Sequence, residues 1–207
     1  MIAIIDYGVG NLFSLRSSLT HLGLEAVVTA DAQTIRKADR LILPGVGAFG
    51  DAMDKLSATG LVPVIREQAA QKPLLGICLG MQLLFEKSYE YGEHGGLGFV
   101  KGEVCPLEPD LKDKTLKVPQ IGWNTLHIVR DDPLFRYIRE GEYVYYVHSY
   151  YGKNCTGSTL AVSDYSIPVT GVVRAGRVTL PSLFLLCGRA EPECRQELIR
   201  VIDARVP

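Results

Sequence analysis

Cys78 has a glycine two positions to either side, in Gly76-Ile77-Cys78-Leu79-Gly80. That spacing is the G-x-nucleophile-x-G pattern of a sharp strand-to-helix turn, which lifts a reactive atom above a sheet and admits only small flanking residues. A thiol there gains twice. The N-terminus of the following helix favours its thiolate, and the next backbone N–H groups can bind the oxyanion formed during acyl transfer. The plainer reading is a small residue packing a strand end, since free cysteine is among the most buried residue types. The paired glycines and the strand-to-helix context favour the nucleophile.

An elbow of this kind needs a sheet beneath it, and the chain supplies the pattern of one. Ile2 to Ile5 is a short apolar run that breaks at Asp6-Tyr7-Gly8, after which Leu12, Leu15, Leu19 and Leu22 recur at helical spacing. Ala26–Val28 and Leu41–Leu43 follow as strands, the second ending at Pro44-Gly45, and Gly50–Ala58 and Val62–Ala70 read as helices. Leu74–Ile77 is a further apolar strand that runs into the cysteine turn, with a helix expected over Met81–Glu86. Short apolar strands alternating with amphipathic helices imply an α/β fold, with a mostly parallel central sheet and helices on both faces. Functional residues are then expected at the carboxyl ends of the strands.

Beyond Glu86 the pattern changes. Gly92–Gly102 reads as a glycine-rich loop, and Tyr143–Val147, Leu160–Val162 and Val169–Arg174 are β-prone segments separated by turns. The second half is expected to extend the same sheet with antiparallel strands. No repeat, linker or low-complexity stretch divides the chain, so residues 1–207 are expected to form one domain.

A formal net charge of -1 and a pI near 6.4 provide no positive field for nucleic acid or an anionic membrane, leaving small polar substrates and protein partners. The first residues lack the features of a signal peptide and no apolar run approaches membrane-spanning length, so a cytoplasmic location is expected. The cysteines Cys78, Cys105, Cys155, Cys187 and Cys194 are scattered without a CxxC pair, which argues against a disulfide framework and against a zinc site. No metal-ligand spacing or phosphate-cradling GxxxxGK loop occurs, so no cofactor is expected.

Five segments together are more specific than the elbow alone. Asp6-Tyr7-Gly8-Val9-Gly10-Asn11, Leu43-Pro44-Gly45-Val46-Gly47-Ala48-Phe49-Gly50, Gly76-Ile77-Cys78-Leu79-Gly80-Met81-Gln82, Val118-Pro119-Gln120-Ile121-Gly122-Trp123-Asn124 and Tyr145-Tyr146-Val147-His148-Ser149-Tyr150-Tyr151 are all present. They resemble the class I glutamine amidotransferase subunit of imidazole glycerol phosphate synthase, from Met1 to about Val178. The resemblance implies a flavodoxin-like amidotransferase fold and a glutaminase that supplies ammonia for histidine biosynthesis. It implies that Cys78 attacks the side-chain amide of glutamine, and that water hydrolyses the resulting glutamyl thioester to glutamate. It places Val46, Gly47 and the backbone of Leu79 at the oxyanion, and Gln82, Ser149 and Tyr150 on the glutamine. It further implies a heterodimer with a (β/α)8-barrel cyclase subunit. Without the resemblance, Gln82 would read as a solvated helix residue and Ser149-Tyr150 as a strand end. Trp123, the only tryptophan, with Asn124 on an expected turn, suits either a partner anchor or the core.

The chain departs from the family where a base is needed. A cysteine nucleophile ordinarily relies on a histidine oriented by a carboxylate, which the family carries in a stretch like Q-F-H-P-E-K after the last strand. Here Val178 is followed by Thr179-Leu180-Pro181-Ser182-Leu183-Phe184-Leu185-Leu186-Cys187, and no histidine occurs after His148. The histidines are His21, His94, His127 and His148. The resemblance places only His148 beside the glutamine pocket, which makes it the candidate substitute base, although the family carries this histidine as well as its catalytic one. Leu180–Cys187 reads as a strand and Glu191–Asp203 as a helix. A reading-frame shift near Val178 and a genuine variant subunit both fit this break. The resulting alternatives to a working glutaminase are an impaired scaffold subunit of the same complex and a γ-glutamyl hydrolase-like cysteine enzyme.

Overall fold

The computed structural model describes residues 1–136, 138–176 and 178–181. The expected strand Leu180–Cys187 falls mostly outside them and the expected helix Glu191–Asp203 entirely.

The first half is a parallel sheet built from the apolar runs. Strands β1 (Ile2–Ile5), β2 (Ala26–Thr29), β3 (Arg40–Leu43) and β4 (Leu74–Gly76) lie in the order β2-β1-β3-β4, all neighbours parallel. Every residue of β1 and β4 is buried, as strands covered on both faces must be. Helices α1 (Leu12–His21), α2 (Ala32–Lys37), α3 (Phe49–Ala58) and α4 (Val62–Ala69) make the crossovers. Asn11 caps α1 by accepting from the Ser14 N–H, and Asp31 caps α2 by accepting from that of Thr34. The sequence reading passed over α2, which is one and a half turns long. Its far end is held by Lys72, whose ammonium donates to the carbonyls of Arg36 and Ala38 at 2.8 and 2.6 Å.

The helix after Cys78 is shorter than expected. It is a single turn, α5 (Leu79–Gln82), and the chain enters strand β5 (Phe85–Ser88) where Met81–Glu86 was read as helix. The apolar Leu83-Leu84-Phe85 suits either state, and packing decides: all three are buried in the main core.

The antiparallel extension holds in part. Strands β9 (His127–Ile128), β12 (Thr159–Asp164), β13 (Pro168–Ala175) and β14 (Val178–Pro181) complete an eight-stranded sheet in the order β2-β1-β3-β4-β14-β13-β12-β9. Strand β14 is parallel to β4, pairing Val178 with Leu74, and antiparallel to β13. The other strands form two separate small sheets. One is the ribbon of β8 (Gln120–Thr125) and β10 (Tyr143–His148); the other is β11-β7-β5-β6, with β6 (His94–Gly95), β7 (Val100–Pro106) and β11 (Tyr150–Lys153). The expected glycine-rich loop therefore holds β6 and the start of β7.

Candidate active site

Cys78 follows β4 at the centre of the main sheet, with φ 55° and ψ -120°. A side-chain-bearing residue rarely adopts this left-handed conformation, and its cost is sustained only where surrounding structure enforces it. The enforcement is visible at the glycines. A Cβ on Gly80 would lie 1.9 Å from the Leu43 carbonyl oxygen, and one on Gly45 would lie 2.5 Å from the Gly80 nitrogen. The end of β3 and the start of α5 thus meet backbone to backbone.

Burial pushes the Cys78 thiol up, and the Leu79 N–H directed at the sulfur offsets this in part. The expected help from a helix dipole is small, because α5 is one turn long.

Cys78 opens into a cavity of about 650 Å3. Val46, Gly47 and Leu79 form one side with it. The loop carrying Val46 and Gly47 leaves β3, and none of the N–H groups of Gly45, Val46 or Gly47 has a hydrogen-bond partner among the described residues. Gly47 has φ +91°, which glycine alone adopts without strain.

Gln82, His148, Ser149 and Tyr150 line the facing side. Gln82 donates from its amide to the Tyr150 carbonyl at 3.3 Å, which ties the cysteine's helix to the β10–β11 corner. The same carbonyl is 2.8 Å from His148 Nδ1, and His148 Nε2 is 3.0 Å from the buried Gln120 side chain, directly across the ribbon. Burial holds His148 down to about 4, so its ring is neutral. A neutral ring donates once, here to the carbonyl from Nδ1, and Nε2 accepts once the Gln120 amide turns its nitrogen inward.

The other histidines stand elsewhere. His21 ends α1, and His94 packs against Gly50 on α3. His127 Nδ1 is 2.8 Å from Glu140 in a surface His–carboxylate pair. His127 sits on β9, four strands from β4, or about 19 Å at ordinary strand spacing. Among the described residues no imidazole is hydrogen-bonded to Cys78.

Four residues that line the cavity escaped the sequence reading: Glu90, Tyr91, Pro106 and Glu108. Glu90 accepts the Phe49 N–H at 2.6 Å, serving the start of α3 where Ala48 offers no side-chain cap, and burial pushes its carboxyl up. Tyr91, with φ 56°, meets the Tyr150 ring edge-on at 6.4 Å. The signal available in the sequence was the run Tyr89-Glu90-Tyr91-Gly92, an acidic residue and two aromatics beside a turn glycine.

An apolar surface adjoins the cavity at its rim. Ile121, Trp123, Tyr143 and Val147 are exposed on the outer face of the β8–β10 ribbon, and Val147 and the exposed Val46 both reach the cavity. Trp123 lies in β8 rather than on a turn, edge-on to Tyr145 at 5.3 Å, and is not core.

Comparison with known proteins agrees with this geometry. The pattern of the family Glutamine amidotransferase class-I matches residues 3–173. The chain is 50% identical over 152 residues to "Imidazole glycerol phosphate synthase subunit HisH" of Sulfurimonas denitrificans, covering 73% of each. It is 48% identical over 179 residues to the protein of the same name from Bacillus cereus, covering 86% of this chain and 83% of that one. Among solved structures, "Crystal structure of glutamine amidotransferase" superposes with TM-score 0.69 at 17% identity, covering 97% of both chains. "Structure of PurLQS from Thermotoga maritima" does so with TM-score 0.71 at 15% identity, covering 98% of this chain and 97% of that one. At those identities the two structures speak to the fold, while the family pattern and the curated relatives speak to descent. The chain belongs to the class I glutamine amidotransferase family, among relatives that are subunits of imidazole glycerol phosphate synthase.

Proposed function

We propose that this chain is the glutaminase subunit of an imidazole glycerol phosphate synthase, hydrolysing glutamine to glutamate and ammonia for a cyclase subunit in histidine biosynthesis. The observation that carries the proposal is the elbow itself. Cys78 is held in a left-handed conformation at the mouth of a cavity, beside a loop whose N–H groups are unpartnered among the described residues.

In this reading the Cys78 sulfur attacks the side-chain amide carbon of glutamine. The N–H groups of Val46, Gly47 and Leu79 receive the oxyanion. The amide nitrogen takes up the thiol proton, and collapse of the tetrahedral adduct breaks the C–N bond, releasing ammonia and leaving a glutamyl thioester for water to cleave. Gln82, Ser149 and Tyr150 hold the amino acid, and Glu90 offers the carboxylate that its α-ammonium requires. His148 holds the Tyr150 carbonyl in place, its two nitrogens already engaged.

The missing base sets the expected rate. Strand β14 lies beside β4, and the sequence after it, Ser182-Leu183-Phe184-Leu185-Leu186-Cys187, lacks the His–Glu pair that the family carries there. A positioned base ordinarily contributes about 10²–10⁴-fold, so glutamine hydrolysis is expected to be slower than in an enzyme with a His–Glu pair by that order.

The apolar rim suits a protein partner. Val46 and Val147 line the cavity, and Ile121, Trp123 and Tyr143 share the exposed outer face of the ribbon with Val147; an aromatic anchor is characteristic of such surfaces. The partner proposed is the cyclase subunit, of (β/α)8-barrel type, docked over this rim as a heterodimer.

The test compares glutamine with ammonium salt as nitrogen source for cyclisation by the reconstituted complex. The proposal expects slow glutamine-dependent turnover that disappears in Cys78→Ala, with ammonia-dependent turnover retained. Glutamine-dependent turnover no greater than in Cys78→Ala would leave only a scaffold role.

A further inference from the structure

The loop from Pro44 to Phe49 is pinned at its two ends and open between them. At the far end the Phe49 N–H is held by Glu90. At the near end the Tyr7 hydroxyl donates to the Pro44 carbonyl at 2.7 Å, across 37 residues of sequence and inside the core, where Tyr7 is 4% exposed. Proline has no N–H, so this carbonyl is the only backbone group through which residue 44 can be tethered by a hydrogen bond.

The backing behind Pro44 is equally close. Asp6 accepts the Gly8 N–H at 3.0 Å to turn the chain after Tyr7, and a Cβ on Gly10 would lie 3.1 Å from the Pro44 Cβ. The β1–α1 loop thus forms a wall against which Pro44 is pressed. Burial first, and then the charge that Cys78 can carry, push the Tyr7 hydroxyl far above the ordinary range, so it remains a donor at every working pH. Between the pins, Val46 and Gly47 are exposed at the cavity with their N–H groups unpartnered among the described residues.

We propose that Tyr7 is a positioning residue for acyl transfer, its hydroxyl holding the Pro44 carbonyl so that the Val46 and Gly47 N–H groups stay directed at the oxyanion formed over Cys78. The inference rests on the glutaminase reading. It adds to that reading a residue that touches neither substrate nor nucleophile directly. A displacement of about an ångström in a donor pair is enough to lower the rate by one to two orders of magnitude.

The experiment uses Tyr7→Phe, which keeps the ring and removes only the donor, in the full chain with its cyclase partner. Two reagents are compared at Cys78. L-Glutamic acid γ-hydroxamate acylates the sulfur through an oxyanion, whereas iodoacetamide alkylates it by direct displacement and forms none. Tyr7→Phe is expected to slow acylation about tenfold, with alkylation unchanged within about twofold and faster amide hydrogen exchange at residues 45–48. Equal slowing with both reagents, or unchanged acylation, overturns the proposal. If the unsubstituted protein is not acylated, the glutaminase reading fails by itself. The exchange measurement then still decides the tether, and unchanged exchange at residues 45–48 overturns it.

Discussion

The two sides of the cavity differ in how much hydrogen-bonding capacity they leave open. On the elbow side, Cys78 is in a left-handed conformation, the N–H groups of Val46 and Gly47 are without partners among the described residues, and Leu79 directs its own at the sulfur. On the facing side, His148 engages both ring nitrogens, stacks on Tyr146 at 4.9 Å, and shares the Tyr150 carbonyl with Gln82. Open, strained backbone can take up charge that develops during a reaction. A saturated corner can hold a substrate in one place. A histidine thus lines the same cavity as the cysteine with both of its ring nitrogens already engaged.

The sharpest way to break the comparison is to remove the sulfur. Cys78→Ala is expected to abolish glutamine-dependent cyclisation, while far-ultraviolet circular dichroism shows the fold retained.

Next in size is the backbone contact under the elbow. Gly80→Ala places a Cβ against the Leu43 carbonyl and is expected to destabilise by about 3 kcal/mol, read from denaturant unfolding. Gly47→Ala meets no atom within 4 Å and should cost only about 1–2 kcal/mol, for its left-handed φ.

The saturated side is tested through His148. His148→Ala leaves the Gln120 side chain and one bond to the Tyr150 carbonyl unmade, at about 1–3 kcal/mol of stability and a raised KM for glutamine. Its pH dependence has a definite sign. With the folded value near 4 and an unfolded value near 6.5, the unfolded chain binds the extra proton in that window. Stability from this group is therefore whole above about pH 6.5 and is lost as pH falls toward 4. His148→Gln should remove that part of the acid sensitivity.

The smallest effect on the isolated chain is expected at the rim. Trp123→Ala should change its stability by less than about 0.5 kcal/mol, yet weaken association with the cyclase by about 2 kcal/mol or more, as calorimetry of the complex would show.

Much of the elbow side was legible in the sequence, because local chemistry makes it. Glycines at 45, 80 and 47 are required by close approach or by φ, and the apolar runs of β1, β3 and β4 can only be buried strands. The facing side was less so. Whether Leu83-Leu84-Phe85 continues a helix is decided by the core it enters, and the split of the later strands into three sheets depends on pairings remote in sequence, such as Tyr151 with Cys105 and Tyr145 with Trp123. The run around Glu90 marked it only as a polar turn residue, because its role comes from meeting Phe49, 41 residues away. The tether from Tyr7 to Pro44 spans 37 residues and could be seen only in three dimensions.

The most direct test of the account is covalent. The complex is treated with 6-diazo-5-oxo-L-norleucine, a glutamine-shaped electrophile, and the modified residue is mapped by peptide mass spectrometry, with excess glutamine as competitor. Stoichiometric labelling at Cys78, slowed by glutamine, is the predicted result; labelling absent from Cys78, or spread over Cys105 and Cys155 and indifferent to glutamine, would contradict it.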